Sequence, residues 1–86
     1  METEIQERAK EDLKAMDAQM ADLFIKHLIK ISRMPPRRHL KFGLPFNVEN
    51  VTRQARLVFQ IENSKLYILR CFESHKEYER WYNSYK

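Results

Sequence analysis

Cysteine is almost absent from this sequence, and the one present, Cys71, has no partner for an internal disulfide. The same scarcity excludes a cysteine-rich metal site and points to a reducing cytoplasm. A lone glycine, Gly43, excludes a Gly-rich phosphate loop of the P-loop or dinucleotide type. Histidines stand only at positions 27, 39 and 75, too few and too scattered for a zinc site, so neither a metal nor a cofactor is expected. No apolar run is long enough to span a bilayer, and no signal peptide precedes the charged N-terminus, so no membrane partner is expected. No Ser/His/Asp arrangement, HExxH motif or close acidic pair in a cleft is evident. With 86 residues, the chain reads as one domain, 1–86, around a small core.

Positive charge is plentiful and unevenly placed. Residues 1–22 hold seven acids against three bases, a net of −4, whereas residues 23–86 hold thirteen bases against five acids, a net of +8. A basic body of this kind suits a polyanionic partner, RNA or DNA, or an acidic protein. It equally describes a merely well-solvated surface.

Apolar residues recur at three- and four-residue steps from Ile5 through Leu13, Met16, Met20 and Phe24 to Ile31, the spacing of one helical face over residues 4–33. One straight rod of about 30 residues would run roughly 45 Å, longer than a small core covers. Asp17 is a natural cap for a second helix, so a helical hairpin is expected. Pro35-Pro36 ends it. Residues 35–45 form a basic connector with Arg37, Arg38, His39 and Lys41. Phe46–Val51 alternates as a half-buried strand does, 52–55 reads as a turn, and Arg56–Ile61 and Leu66–Phe72 read as strands flanking a polar turn. Residues 75–85 form a terminal helix. The predicted fold class is α+β: a helical hairpin on a small twisted antiparallel sheet of three to four strands, with a short C-terminal helix.

The residues that carry chemistry gather where the last strand empties into that helix. Metal-free cleavage of RNA needs a base for the 2′-hydroxyl, an acid for the leaving oxygen and cations for the phosphorane. Imidazole is the side chain suited to proton transfer near neutrality, and His75 stands beside other functional groups; its plain alternative is an exposed surface histidine. Lys76 and Arg56 are candidates for charge stabilisation, or ordinary solvated charges. Tyr78 and Tyr82 either orient RNA or pack the terminal helix, with Trp81 as its anchor. Arg37, Arg38, Lys41, Arg53 and Arg70 are the candidate RNA phosphate contacts, since guanidinium grips phosphate in a bidentate fork. His27 lies on or beside the apolar helical face and reads as structural.

The segment Arg56-Leu-Val-Phe-Gln-Ile, its short polar turn and the following strand resemble the central hairpin of the RelE/HigB/ParE-like toxins of type II toxin–antitoxin modules. Ser74-His75-Lys76-Glu77-Tyr78 is similar to the Thr-His-Lys-Glu-Tyr ending of HigB-type members. The resemblance covers roughly residues 6–82, and its specific part is residues 56–82. It implies a toxin that enters the ribosomal A site and cuts mRNA without metal, through attack by the chain's own 2′-hydroxyl. It also implies a cognate antitoxin as partner, beside the ribosome and mRNA. In that frame Arg56 matches the arginine opening the hairpin strand, Lys76 a basic residue after the last strand, and Tyr82 a functional tyrosine of the RelE branch. His75 and Tyr78 match the HigB-like ending.

Two departures stand out. The short apolar strand that usually opens the family is truncated or absent, because only Met1–Ile5 precedes the helix. Asn47 and Glu49 stand where ribosome-dependent members can carry lysines. Those departures keep a second expectation open, a ParE-like or degenerate toxin that acts by binding a protein such as DNA gyrase. A third is a basic RNA-binding module.

Overall fold

The computed structural model of the chain describes residues 1–34 and 46–85. Its elements run β1 (Glu2–Ile5), α1 (Glu7–Ala15), α2 (Ala18–Arg33), β2 (Asn47–Asn50), β3 (Arg56–Glu62), β4 (Lys65–Phe72) and α3 (His75–Tyr85). The helical hairpin breaks where expected. Met16 is extended, and the Asp17 carboxylate accepts a hydrogen bond from the Met20 amide at 2.8 Å, capping α2.

Among the described residues the sheet has four strands in the order β1-β4-β3-β2. β2, β3 and β4 are antiparallel neighbours, as predicted. The opening strand, by contrast, is present. β1 pairs in parallel with β4, Glu2 through Ile5 against Lys65 through Ile68, so the sheet is mixed. Its pattern hid it. Thr3 and Ile5 turn toward the helices, while Glu2 and Glu4 face the other way, where the Lys65 ammonium sits 3.6 and 3.1 Å from their carboxylates. Two acids in four residues read as surface until that cross-strand lysine is known.

The β3–β4 turn places Asn63 and Ser64 at φ 52° and 62°, the left-handed pair of a tight hairpin whose twist matches its strands. Further along, Val58 pairs with Arg70 and Phe59 with Ile68, so Leu69 is a β-bulge.

The sheet has two differently covered faces. Phe24, Leu28 and Ile31 of α2 and Ala9 of α1 pack on Leu57, Phe59, Leu66, Ile68 and Cys71, forming the main core. On the reverse, Val58 and Phe72 meet Phe46, Tyr78 and Trp81, a second apolar cluster that seats α3. Phe24, Phe46, Phe59 and Leu57 are among the fully buried side chains. At about 25 cal/mol per Å² these two clusters supply the bulk of the folding free energy.

Candidate active site

Arg56 opens β3 opposite Phe72, the last residue of β4. Three residues later the chain enters α3. Ser74 caps that helix: its hydroxyl accepts from the Glu77 amide at 3.2 Å and donates to the Glu77 carboxylate at 3.3 Å. Register and cap together fix where α3 starts relative to Arg56.

Along α3, His75, Tyr78 and Tyr82 fall at i, i+3 and i+7 and share one face. The rings confirm it, with Tyr78 lying 6.1 Å from His75 and 6.0 Å from Tyr82, centre to centre. Tyr78 is buried, 7% exposed, and rests edge-on against Phe72. Burial pushes its phenol above the ordinary value. The neighbouring Tyr82 and Glu79 add to that, and the Arg56 guanidinium opposes it. Tyr78 therefore keeps its proton at neutral pH.

The His75 ring is partly exposed, and its Nδ1 lies 3.3 Å from the Glu79 carboxylate one turn on. A carboxylate there favours the Nδ1–H tautomer and leaves Nε2 free for proton transfer. Arg56 donates from Nη1 to the carbonyls of Thr52, Arg53 and Ala55 at 3.3, 3.1 and 3.1 Å.

The structure does not bring every candidate to this face. Lys76 is exposed about 100° round the helix from His75 and makes no ion pair among the described residues. Arg53 is exposed in the turn beside Arg56. Arg70 is already engaged: its Nε and Nη2 donate to the two oxygens of Asp12 at 2.8 and 3.0 Å, and it lies over the Phe72 ring at 4.6 Å. The guanidinium expected to grip phosphate instead fastens α1 to β4, and the Asp12 pairing raises its pKa further. Arg37, Arg38 and Lys41 lie outside the described residues.

Two residues that sequence reasoning passed over shape this region. Glu79 had a readable signal, an acid four residues after His75 on a predicted helix. Asp12 had none, because its partners are 58 and 59 residues away. His27 is structural, its Nδ1 2.8 Å from Glu49 of β2. Asn47 is buried and Glu49 is tied to α2, so neither serves the α3 face.

A cavity of about 370 Å³ opens on the opposite side of α3, lined by Asp12, Met16, Cys71, Arg80, Trp81 and Ser84 among others. It holds none of the candidate catalytic residues. Among the described residues no cluster of three or more His, Cys, Asp or Glu could hold a metal. No helix there is long and apolar enough to cross a membrane. The arrangement places an imidazole, a largely buried phenol and a guanidinium on one side of the sheet, groups of the kind that bind a phosphodiester.

No protein-family model matches the sequence, and no curated protein matches it. Solved structures do match. The isolated E. coli RelE toxin superposes with a TM-score of 0.70 at 15% identity, over 99% of this chain and 98% of that one. The YoeB dimer from Staphylococcus aureus gives 0.69 at 21% identity, over 84% and 94%. A chain of the intact E. coli RelBE toxin–antitoxin complex gives 0.71 at 15%, over 85% and 95%. The chain has the RelE/YoeB toxin fold.

Proposed function

We propose that this chain is the toxin of a type II toxin–antitoxin module and cleaves mRNA on the ribosome. The observation that carries the reading is that the β3–β4 register and the roll of α3 put Arg56, His75, Tyr78 and Tyr82 on one side of a RelE-like fold. His75 Nε2 transfers the proton, Arg56 neutralises charge on the phosphorane, Tyr78 donates a hydrogen bond to a phosphoryl or leaving oxygen, and Tyr82 stacks or orients the RNA. Lys76, exposed on the flank, meets the phosphate of the neighbouring nucleotide. The catalytic groups are all side chains, and no metal is called for. The site works in the cytoplasm, where ribosomes and mRNA are. Its natural partner is an antitoxin with an acidic segment that covers this face, in line with the toxin–antitoxin complex among the similar structures.

Primer extension on a defined mRNA, with and without programmed ribosomes, tests this. Cuts are expected only with ribosomes, within the A-site codon, and His75→Ala should lower the rate by about 10²- to 10⁴-fold. Uncut mRNA beside an active RelE control overturns it.

The engagement of Lys65 by Glu2 and Glu4, and of Glu49 by His27, favours a second reading. In it the chain acts by binding a protein, as a gyrase poison would. Inhibited supercoiling with intact mRNA supports that alternative. Steeply salt-dependent RNA binding without cleavage marks a plain RNA-binding module instead.

A further inference from the structure

The turn before β3 is built around one hydroxyl. Thr52 Oγ1 accepts from the amides of Gln54 and Ala55 at 3.2 and 3.0 Å, and the Val51 amide closes the loop on the Ala55 carbonyl at 3.0 Å. Ala55 is fully buried, so the turn is anchored to the core at its far end. This folding aims the carbonyls of Thr52, Arg53 and Ala55 at a single atom, Arg56 Nη1. A guanidinium has five N–H donors in a rigid plane, two of them on Nη1. Three carbonyls saturate those two. Nε and Nη2 donate to nothing among the described residues, so three donors remain, two of them side by side on the Nε/Nη2 edge.

From this we infer that Thr52 is a positioning residue for Arg56: the hydroxyl-stapled turn holds Nη1 and presents the Nε/Nη2 edge, side-on, to an RNA phosphate. The inference rests on the proposed function only in taking RNA as the ligand. It adds that Arg56 binds phosphate through Nε and Nη2 and never end-on through both Nη atoms. It also makes the arginine's aim depend on a residue that touches no substrate. Arg56 pairs across the strands with Phe72, against which Tyr78 packs, so one phosphate there could receive the side-on fork and the phenol together.

The test pairs two readouts in the full-length protein. The Arg56 Nε–H resonance is followed by NMR while a non-cleavable 2′-O-methyl oligoribonucleotide is added to the wild type, Thr52→Val and Thr52→Ser. Single-turnover cleavage on programmed ribosomes is measured for the same three. The wild-type resonance should shift on RNA addition. Thr52→Val, which loses the acceptor but keeps the shape, should bind roughly five- to tenfold more weakly, with the Arg56 signal averaged by motion. Thr52→Ser should restore both to within about twofold. Thermal melts select variants that remain folded, and Thr52→Ser keeps the test open if Thr52→Val does not. An unmoved wild-type Nε–H on RNA binding overturns the inference, as does a Thr52→Val protein equal to wild type in both readouts. Cleavage that persists in that last case leaves the nuclease reading standing. RNA-dependent shifts lost in Thr52→Val, without cleavage by any variant, uphold the inference while the nuclease reading falls.

Discussion

Asp12 is the residue whose loss should cost the fold most for its size. Its carboxylate takes three bonds: Arg70 Nε at 2.8 Å, Arg70 Nη2 at 3.0 Å and the Cys71 amide at 2.9 Å. The last serves β4 beyond Ile68, where β1 has stopped pairing and the strand edge would otherwise be open. The partners' side chains are 17% and 16% exposed, so the pair is well desolvated. Asp12→Ala strands a guanidinium and an amide together. Breaking a buried pair from one side costs about 3–5 kcal/mol. Residual exposure and the Phe72 ring beneath Arg70 put the expected loss near the lower end, about 3 kcal/mol. A chain of this length is stable by only about 4–13 kcal/mol in all. Asp12→Asn keeps an acceptor and should lose about half as much. Removing both ends, in Asp12→Ala with Arg70→Met, should recover part of the loss, since no charge is left unpaired. Urea unfolding with a constant m-value measures each step. A loss below about 1 kcal/mol for Asp12→Ala, the range of exposed pairs, would refute the reasoning.

Cys71 offers a pH signature. Burial pushes its thiol up to about 12, with Asp12 adding and Arg70 opposing. The unfolded thiol ionises near pH 9 while the folded one keeps its proton. Unfolding therefore releases a proton in that window, and stability falls as pH rises from about 9 to 12, by at most about 4 kcal/mol. Cys71→Ala should flatten this decline relative to wild type, and a decline that is unchanged in the variant removes Cys71 as its cause. Ser64→Gly relieves a positive φ of 62° and should stabilise by about 1 kcal/mol, seen as a higher melting temperature; no gain would mean the serine is unstrained. Tyr78→Phe keeps the packing but removes the donor, so ribosomal cleavage should drop at least about tenfold with stability changed by less than about 1 kcal/mol. Full cleavage by that variant excludes the phenol from the chemistry.

Much of this architecture is written in local pattern. The three- and four-residue spacing of Leu13, Met20, Phe24 and Ile31 announces the helices, and Asp17 announces the break between them. The largely apolar runs of β3 and β4 either side of a polar turn, and the run from His75 to Tyr82, place the hairpin and terminal helix within a residue or so. What stayed hidden depends on partners distant in sequence. β1 reads as a strand only once Lys65 is set beside Glu2 and Glu4. Arg70 reads as a free cation until Asp12 arrives from α1. Which face of α3 turns inward is likewise undecided by spacing, because tyrosine, tryptophan and histidine suit core and surface alike.

That last ambiguity is settled by aromatic packing, and the settlement determines the site. Trp81 lies 5.0 Å from Phe46 and 5.6 Å from Phe72, ring centre to centre, a wedge between the turn of chain entering β2 and the end of β4. Tyr78 presses on Phe72 from the next turn. Two anchors three residues apart fix both the height and the roll of α3. With that roll, His75, Tyr78 and Tyr82 face the Arg56 side, Glu79 reaches His75, and Lys76 is left outside. A roll of one residue, about 100°, would bring Lys76 to the face that His75 shares with Tyr78 and Tyr82 and turn His75 away from it. The second apolar cluster thus decides which functional groups meet. Because the ring of Tyr78 sits in the cluster and its hydroxyl is the group proposed to meet RNA, the proposal couples packing and chemistry within one side chain.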